Sequence, residues 1–152
     1  MQFAELVPGQ VVECGTYAVT EAEILEFASH YDPQPFHVDA LSARRSRWGG
    51  VIASGFHTCA IAMRLVALQV LKDSTSFGSP GLDYLKWKGP VRAGDELRVR
   101  FEVLSTRVSS GRDIGIVRAR WTVRNQYNEE VMELVGVSLF DLRESAPTTV
   151  RD

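Results

Sequence analysis

Between residues 97 and 103 the apolar Leu97, Val99, Phe101 and Val103 alternate with Arg98, Arg100 and Glu102. A repeat of two marks a strand with one face in a core and the other in water. Residues 117–124 repeat the pattern, with Val117, Ala119, Trp121 and Val123 set against Arg118, Arg120, Thr122 and Arg124. Residues 82–88, before Gly89-Pro90, and residues 130–141, after a polar turn from Asn125 to Asn128, read as two more strands. Arg92 to Asp95 is a turn, and residues 11–19 (VVECGTYAV) behind Pro8-Gly9 predict a first strand. The period changes at Thr20-Glu21-Ala22-Glu23, which has the form of a capping box. Ile24, Leu25, Phe27, Ala28 and Tyr31 then fall at helical spacing, and Pro33 and Pro35 forbid the helix beyond about residue 31. Residues 32–57 are irregular, with one short helix from Ala40 to Arg45. From about 56 to 71 the chain is apolar on nearly every side, with only Arg64 and Gln69 strongly polar, which predicts a buried helix. Strand, helix, irregular segment, buried helix and four antiparallel strands make an α+β arrangement in which a sheet wraps one long central helix.

At 152 residues the chain fits one domain. We place that domain at 1–142 and expect the Pro- and Thr-containing tail, 143–152, to be disordered. A net charge of −2 lacks the basic excess of a nucleic-acid binder. Cys14 and Cys59 stand far apart, with neither C-x-x-C nor a His cluster, so no metal site is expected and a reducing, cytoplasmic setting is the default. The opening residues carry Glu5 early and do not read as a signal peptide, and no apolar run reaches the ~20 residues of a membrane span.

Two places hold candidate chemistry. In Tyr31-Asp32-Pro33-Gln34-Pro35-Phe36-His37-Val38-Asp39 a carboxylate and an imidazole lie five residues apart across two prolines. Prolines stiffen the backbone, so Asp32 and His37 can face one cavity as an acid and base pair sharing a water. A plainer reading makes Asp32 a turn cap and His37 a half-buried surface histidine. The second place is Ala53-Ser54-Gly55-Phe56-His57-Thr58, at the start of the buried helix. Free amides at a helix N-terminus suit an oxygen that gains negative charge, and Gly55 permits its approach. Here the plainer reading has Ser54 capping the helix, Gly55 relieving crowding and His57 packing in the first turn. Arg44, Arg45 and Arg47 form one tight basic group, suited to a phosphate or simply to solvent.

The order F-A-x-x-Y-D-P-Q-P-F-H-x-D, Ala43 beyond it, G-V-I-A-S-G before the apolar helix, and W-K-G-P-V-R-A-G-D-E-L later resemble the MaoC-like dehydratase family, which includes (R)-specific enoyl-CoA hydratases. The resemblance runs from about residue 3 to residue 141. It implies the hot-dog fold, a homodimer or higher homo-oligomer, and Asp32 and His37 as a catalytic dyad that adds water to C3 of a trans-2-enoyl thioester. It further implies Gly55 as the oxyanion-hole donor, Ser54, Phe36, Phe56 and His57 as substrate-binding residues, an acyl-CoA or acyl-carrier thioester as partner, and no cofactor. The family signature D-x-N-P-(aliphatic)-H is altered here: Gln34 stands for Asn, Phe36 for a smaller aliphatic residue, and Ser54 for a common His. A thioesterase on the same fold and a non-catalytic acyl-thioester binding subunit are the alternatives.

Overall fold

The computed structural model describes residues 1–143. The alternating segments become a six-stranded antiparallel sheet. Its long strands are β1 (Val11–Ala18), β4 (Glu96–Val108), β5 (Ile114–Arg124) and β6 (Glu130–Asp141), hydrogen-bonded in the order β1-β4-β5-β6. Two shorter strands, β2 (Ser76–Gly78) and β3 (Leu82–Trp87), share the free edge of β6, pairing with its two ends. Leu97, Val99, Phe101 and Val103 of β4 are buried, and Phe101 pairs across the ladder with Trp121. The intervening arginines take the outer face, where Arg100 and Arg120 meet Glu102, and Arg124 meets Glu130. Exposed pairs of this kind contribute little stability. β2 is absent from the sequence expectation because three residues, two of them Ser and Gly, carry no alternation to read.

Helix α1 (Glu21–Tyr31) begins with the expected reciprocal cap: the Glu23 amide donates to Thr20 Oγ1 at 3.2 Å, and the Thr20 amide donates to Glu23 Oε2 at 3.3 Å. It ends at Asp32, whose N–H closes on the Ala28 carbonyl before Pro33 breaks the pattern. Two short helices follow, α2 (Pro35–Val38) and α3 (Ala40–Arg45), with Asp39 ending one and capping the other through the Ser42 amide. Pro35 opens α2 at its first position, where a missing N–H costs nothing. Helix α4 (Gly55–Val66) continues through a wider π-type segment, Ala67–Leu71.

α4 presses Ile61, Ala62, Leu65 and Val66, with Val70 beyond them, against the inner face of the sheet. It is not buried all round, which corrects the expectation from its composition. Phe56, Met63 and Leu68 are exposed, because a single layer of sheet covers one side of a helix and leaves the other open. Arg143 pairs with Asp141, and the rest of the expected tail, 144–152, lies outside the described residues. Among the described residues no helix is long and apolar enough to cross a membrane.

Candidate active site

Asp32 and His37 meet because α1 ends in one and the first turn of α2 presents the other. Asp32 Oδ2 lies 3.3 Å from His37 Nε2. The opposite nitrogen, His37 Nδ1, lies 2.6 Å from the Ile52 carbonyl in a buried contact. A carbonyl only accepts, so Nδ1 carries a proton, and Nε2 is the nitrogen turned toward Asp32. Ile52 is itself fixed by its neighbours: its amide bonds the Phe36 carbonyl, and the Ala53 amide bonds the Val91 carbonyl at 2.8 Å. The imidazole therefore has one orientation, and its neutral form one tautomer.

Burial pushes the Asp32 carboxyl upward. The hydrogen bond from Gln34 Nε2 (2.8 Å to Oδ1), with nearby Ser54 and the positive charge of the His37 ring when it is protonated, outweighs it, and the group is held below its usual range. Asp32 is thus an ionised acceptor at neutral pH. When the ring is neutral, the carboxylate oxygen and the Nε2 lone pair are two acceptors 3.3 Å apart that suit one water donating a hydrogen to each. Its remaining lone pair is then free to attack a carbon, and Nε2 is placed to take the proton that is shed.

The pair opens into a cavity of about 440 Å³ that also meets Gln34, Gly55, Phe56, Trp87 and Val91. Gly55 is the first residue of α4, where the amide has no partner inside the helix, so its N–H is available at the wall of the same cavity. Of the residues expected to bind substrate, Phe56 lines this cavity and is exposed. Phe36 packs edge-on against His37, 4.3 Å between ring centroids, and does not line it. Ser54 is wholly buried behind the wall, and its hydroxyl makes no cap bond. His57 is 6% exposed, stacks on Phe27 and lines a separate hollow with Glu23, Glu26, His30 and Tyr31. Arg44, Arg45 and Arg47 are exposed beside Trp48, which lines the dyad cavity.

Trp87 was not anticipated. Its Nε1 donates to the Gly55 carbonyl at 2.9 Å, and its indole occupies the place where a Cβ on residue 55 would stand. Gly55 and Trp87 are 32 residues apart in sequence, so no local pattern joins them; the Trp-Lys-Gly-Pro segment gave the only hint. Gln34, read from sequence as a departure from a family signature, is the residue that holds Asp32 Oδ1.

A family model described as MaoC like domain matches residues 3–125. An uncharacterized protein of Bacillus subtilis, YdeM, is 30% identical over 133 residues, covering 88% of this chain and 94% of that protein. Among solved structures, a MaoC-like dehydratase from Rhodospirillum rubrum is 36% identical with a TM-score of 0.86, covering 93% of this chain and 97% of that one. The (R)-hydratase PhaJ1 from Pseudomonas aeruginosa is 25% identical with a TM-score of 0.70, covering 98% and 96%. The six-stranded sheet with one longer helix against it is the hot-dog architecture of these neighbours.

Proposed function

This chain belongs to the MaoC-like dehydratase family, and from that premise we propose that it is a hydro-lyase that reversibly hydrates trans-2-enoyl thioesters to 3-hydroxyacyl thioesters. The observation that carries the reading is the 3.3 Å approach of Asp32 Oδ2 to His37 Nε2 in a cavity walled by the first amide of α4. Water held between the two groups adds its oxygen to C3 while Nε2 takes a proton. The electron pair of the double bond moves toward the thioester carbonyl, whose oxygen gains negative charge opposite the Gly55 N–H. Return of the proton from the dyad to C2 completes addition of one water across the double bond, and the reverse sequence is dehydration. The chemistry asks for an acid and base and an oxyanion donor, and this chain supplies both from its own residues. Phe56 and Trp87 bound the acyl side of the cavity, and CoA is the carrier in this reading. A homodimer, covering the exposed Met63 of α4, and a cytoplasmic location complete it.

The test is loss of the ultraviolet enoyl-thioester absorbance with a panel of 2-enoyl-CoAs, read beside free thiol. Absorbance loss without thiol, abolished by Asp32→Asn, is the expected result. Thiol release instead makes the protein a thioesterase. Binding of acyl-CoA without turnover, indifferent to Asp32→Asn, makes it a non-catalytic subunit.

A further inference from the structure

A second cavity, of about 470 Å³, lies between α4 and the β3–β6 pair, and Cys59, Met63, Leu71, Leu82, Trp121 and Leu134 make its wall largely apolar. It shares no lining residue with the dyad cavity, yet the two follow one another along one groove. On α4, Gly55 lines the dyad cavity, while Cys59 and Met63, one and two turns further along the same stripe, line the apolar one. On the sheet, Trp87 lies opposite Met132 and lines the dyad cavity. Leu85, two residues back and so on the same face, lies opposite Leu134, which lines the apolar cavity. The Trp87 indole stands where the two spaces would join. It rises from β3 on the side of the buried Met132, crosses to α4 and ends in the 2.9 Å bond from Nε1 to the Gly55 carbonyl. Phe56 meets the ring edge-on, 5.3 Å between centroids at 71°, and Gly55 has no side chain to push it back. Behind it Cys59 Sγ touches Met132 Sδ at 3.5 Å, a contact between one small and one pliant side chain.

We infer that Trp87 sets the length of acyl chain the site accepts: rooted in β3 and bonded to α4, its indole closes the dyad cavity against the apolar one, so the protein takes short acyl thioesters. Without the indole, the tail of a longer thioester runs on into the apolar cavity. The inference rests on the proposed function for the thioester and adds to it the class of acyl group. At about 440 Å³ the dyad cavity is near the small end for ligand sites, and it has to hold the thioester, a water and the acyl tail together. Each methylene that enters apolar surroundings strengthens binding about fourfold. A methylene that reaches the indole must instead displace it, which breaks the bond to the Gly55 carbonyl and gives up the Phe56 contact. The penalty therefore sets in at the chain length where the tail first meets the ring.

The experiment compares the full wild-type chain with Trp87→Ala and Trp87→Phe in two readings. The first is kcat/KM for hydration of trans-2-butenoyl-, hexenoyl-, octenoyl- and decenoyl-CoA. The second is methyl NMR of Met63, in the wall of the apolar cavity, on addition of butanoyl- or decanoyl-CoA, saturated thioesters that cannot be hydrated. In the wild type, kcat/KM should fall at least about tenfold from butenoyl- to decenoyl-CoA, and neither saturated thioester should move Met63. In Trp87→Ala the ratio of decenoyl to butenoyl kcat/KM should rise by at least about tenfold, and decanoyl-CoA should shift Met63. Trp87→Phe, with a smaller ring and no Nε1, should fall between them, and it serves in place of Trp87→Ala should that variant not fold. A tryptophan that only packs would lower Tm and leave the ratio where it was. A wild type that prefers decenoyl-CoA, a wild-type Met63 signal that moves with decanoyl-CoA, a ratio unchanged by the substitutions, or a Met63 signal unmoved in both variants overturns the inference. Absence of turnover on every enoyl-CoA would sink the proposed function, while the Met63 reading, which needs binding and no hydration, still decides this one.

Discussion

Replacing Gly55 by Ala puts a methyl group where the Trp87 indole now sits. Relief requires the indole to move, and moving it breaks the 2.9 Å bond from Trp87 Nε1 to the Gly55 carbonyl. Overpacking costs about 1–3 kcal/mol, and a hydrogen bond of this kind contributes about 0.5–1.5 kcal/mol. Trp87 is 46% exposed and has solvent to swing into, which favours the lower half of each range. Against the cost stands the helix preference of Ala over Gly, about 0.5–1 kcal/mol in a helix interior and less at a first position. Gly55→Ala should therefore destabilise by about 1–2 kcal/mol, a fall in Tm of about 2–8 °C for a chain of this size. The decisive comparison is the same substitution in a Trp87→Ala background. With the indole gone its clash with the methyl is relieved, and Gly55→Ala should cost clearly less than in the wild type or become neutral. Thermal and urea unfolding followed by circular dichroism measure all four proteins free of the fluorescence lost with Trp87. Equal effects in both backgrounds would show that Trp87 is not what holds residue 55 to glycine, and would refute the reasoning.

Asp32→Asn and His37→Ala should each reduce hydration by at least about 100-fold, the low end for losing a positioned acid or base, while Tm stays near wild type; a variant at wild-type rate removes that residue from the mechanism. Gln34→Ala takes away a bond that lowers Asp32. Its carboxyl should titrate at higher pH, so activity should fail earlier as pH drops, and an unmoved acid limb in the kcat/KM profile would contradict this. Thr20→Ala removes the hydroxyl that accepts the Glu23 amide and should cost about 1 kcal/mol in urea unfolding. Because the Tyr17 hydroxyl, ahead of the Thr20 contacts, holds Glu23 below its ordinary value, the Glu23 contribution is present above the unfolded carboxylate pKa of about 4.3. It is lost as pH falls through the lower folded value, so Glu23→Gln should flatten the stability curve in that acid window.

The elements legible in sequence were those specified by neighbours in sequence. The Thr20 to Glu23 cap, the stop at Pro33, the Ala40–Arg45 helix and the alternation in β4 and β5 depend on contacts within a few residues or on a single buried face. What escaped was fixed from a distance. β2 is a strand because β6 offers Phe140 and Leu139 as partners. The outer stripe of α4 is apolar without being buried, since composition reports what a surface is made of and says nothing of whether the same chain covers it.

The candidate site divides along the same line. Asp32 caps the end of α1 and His37 sits on α2, which follows it, and the prolines between them make their meeting nearly a local event. The tautomer of His37 is different: it depends on a carbonyl 15 residues away whose placement depends in turn on Phe36 and Val91. Gly55 joins both kinds of constraint. From sequence its glycine has two readings, the approach of a ligand oxygen and the relief of crowding, and in the fold Trp87 supplies the crowding. The two reasons do not compete, because they use different sides of one residue. The indole fills the space of the missing side chain and holds the carbonyl, while the amide, with no partner inside the helix, stays at the cavity wall. Fixing the carbonyl at residue 55 restrains the first turn of α4, and under the proposed function that restraint preorganises its leading amide as a donor to a developing oxyanion.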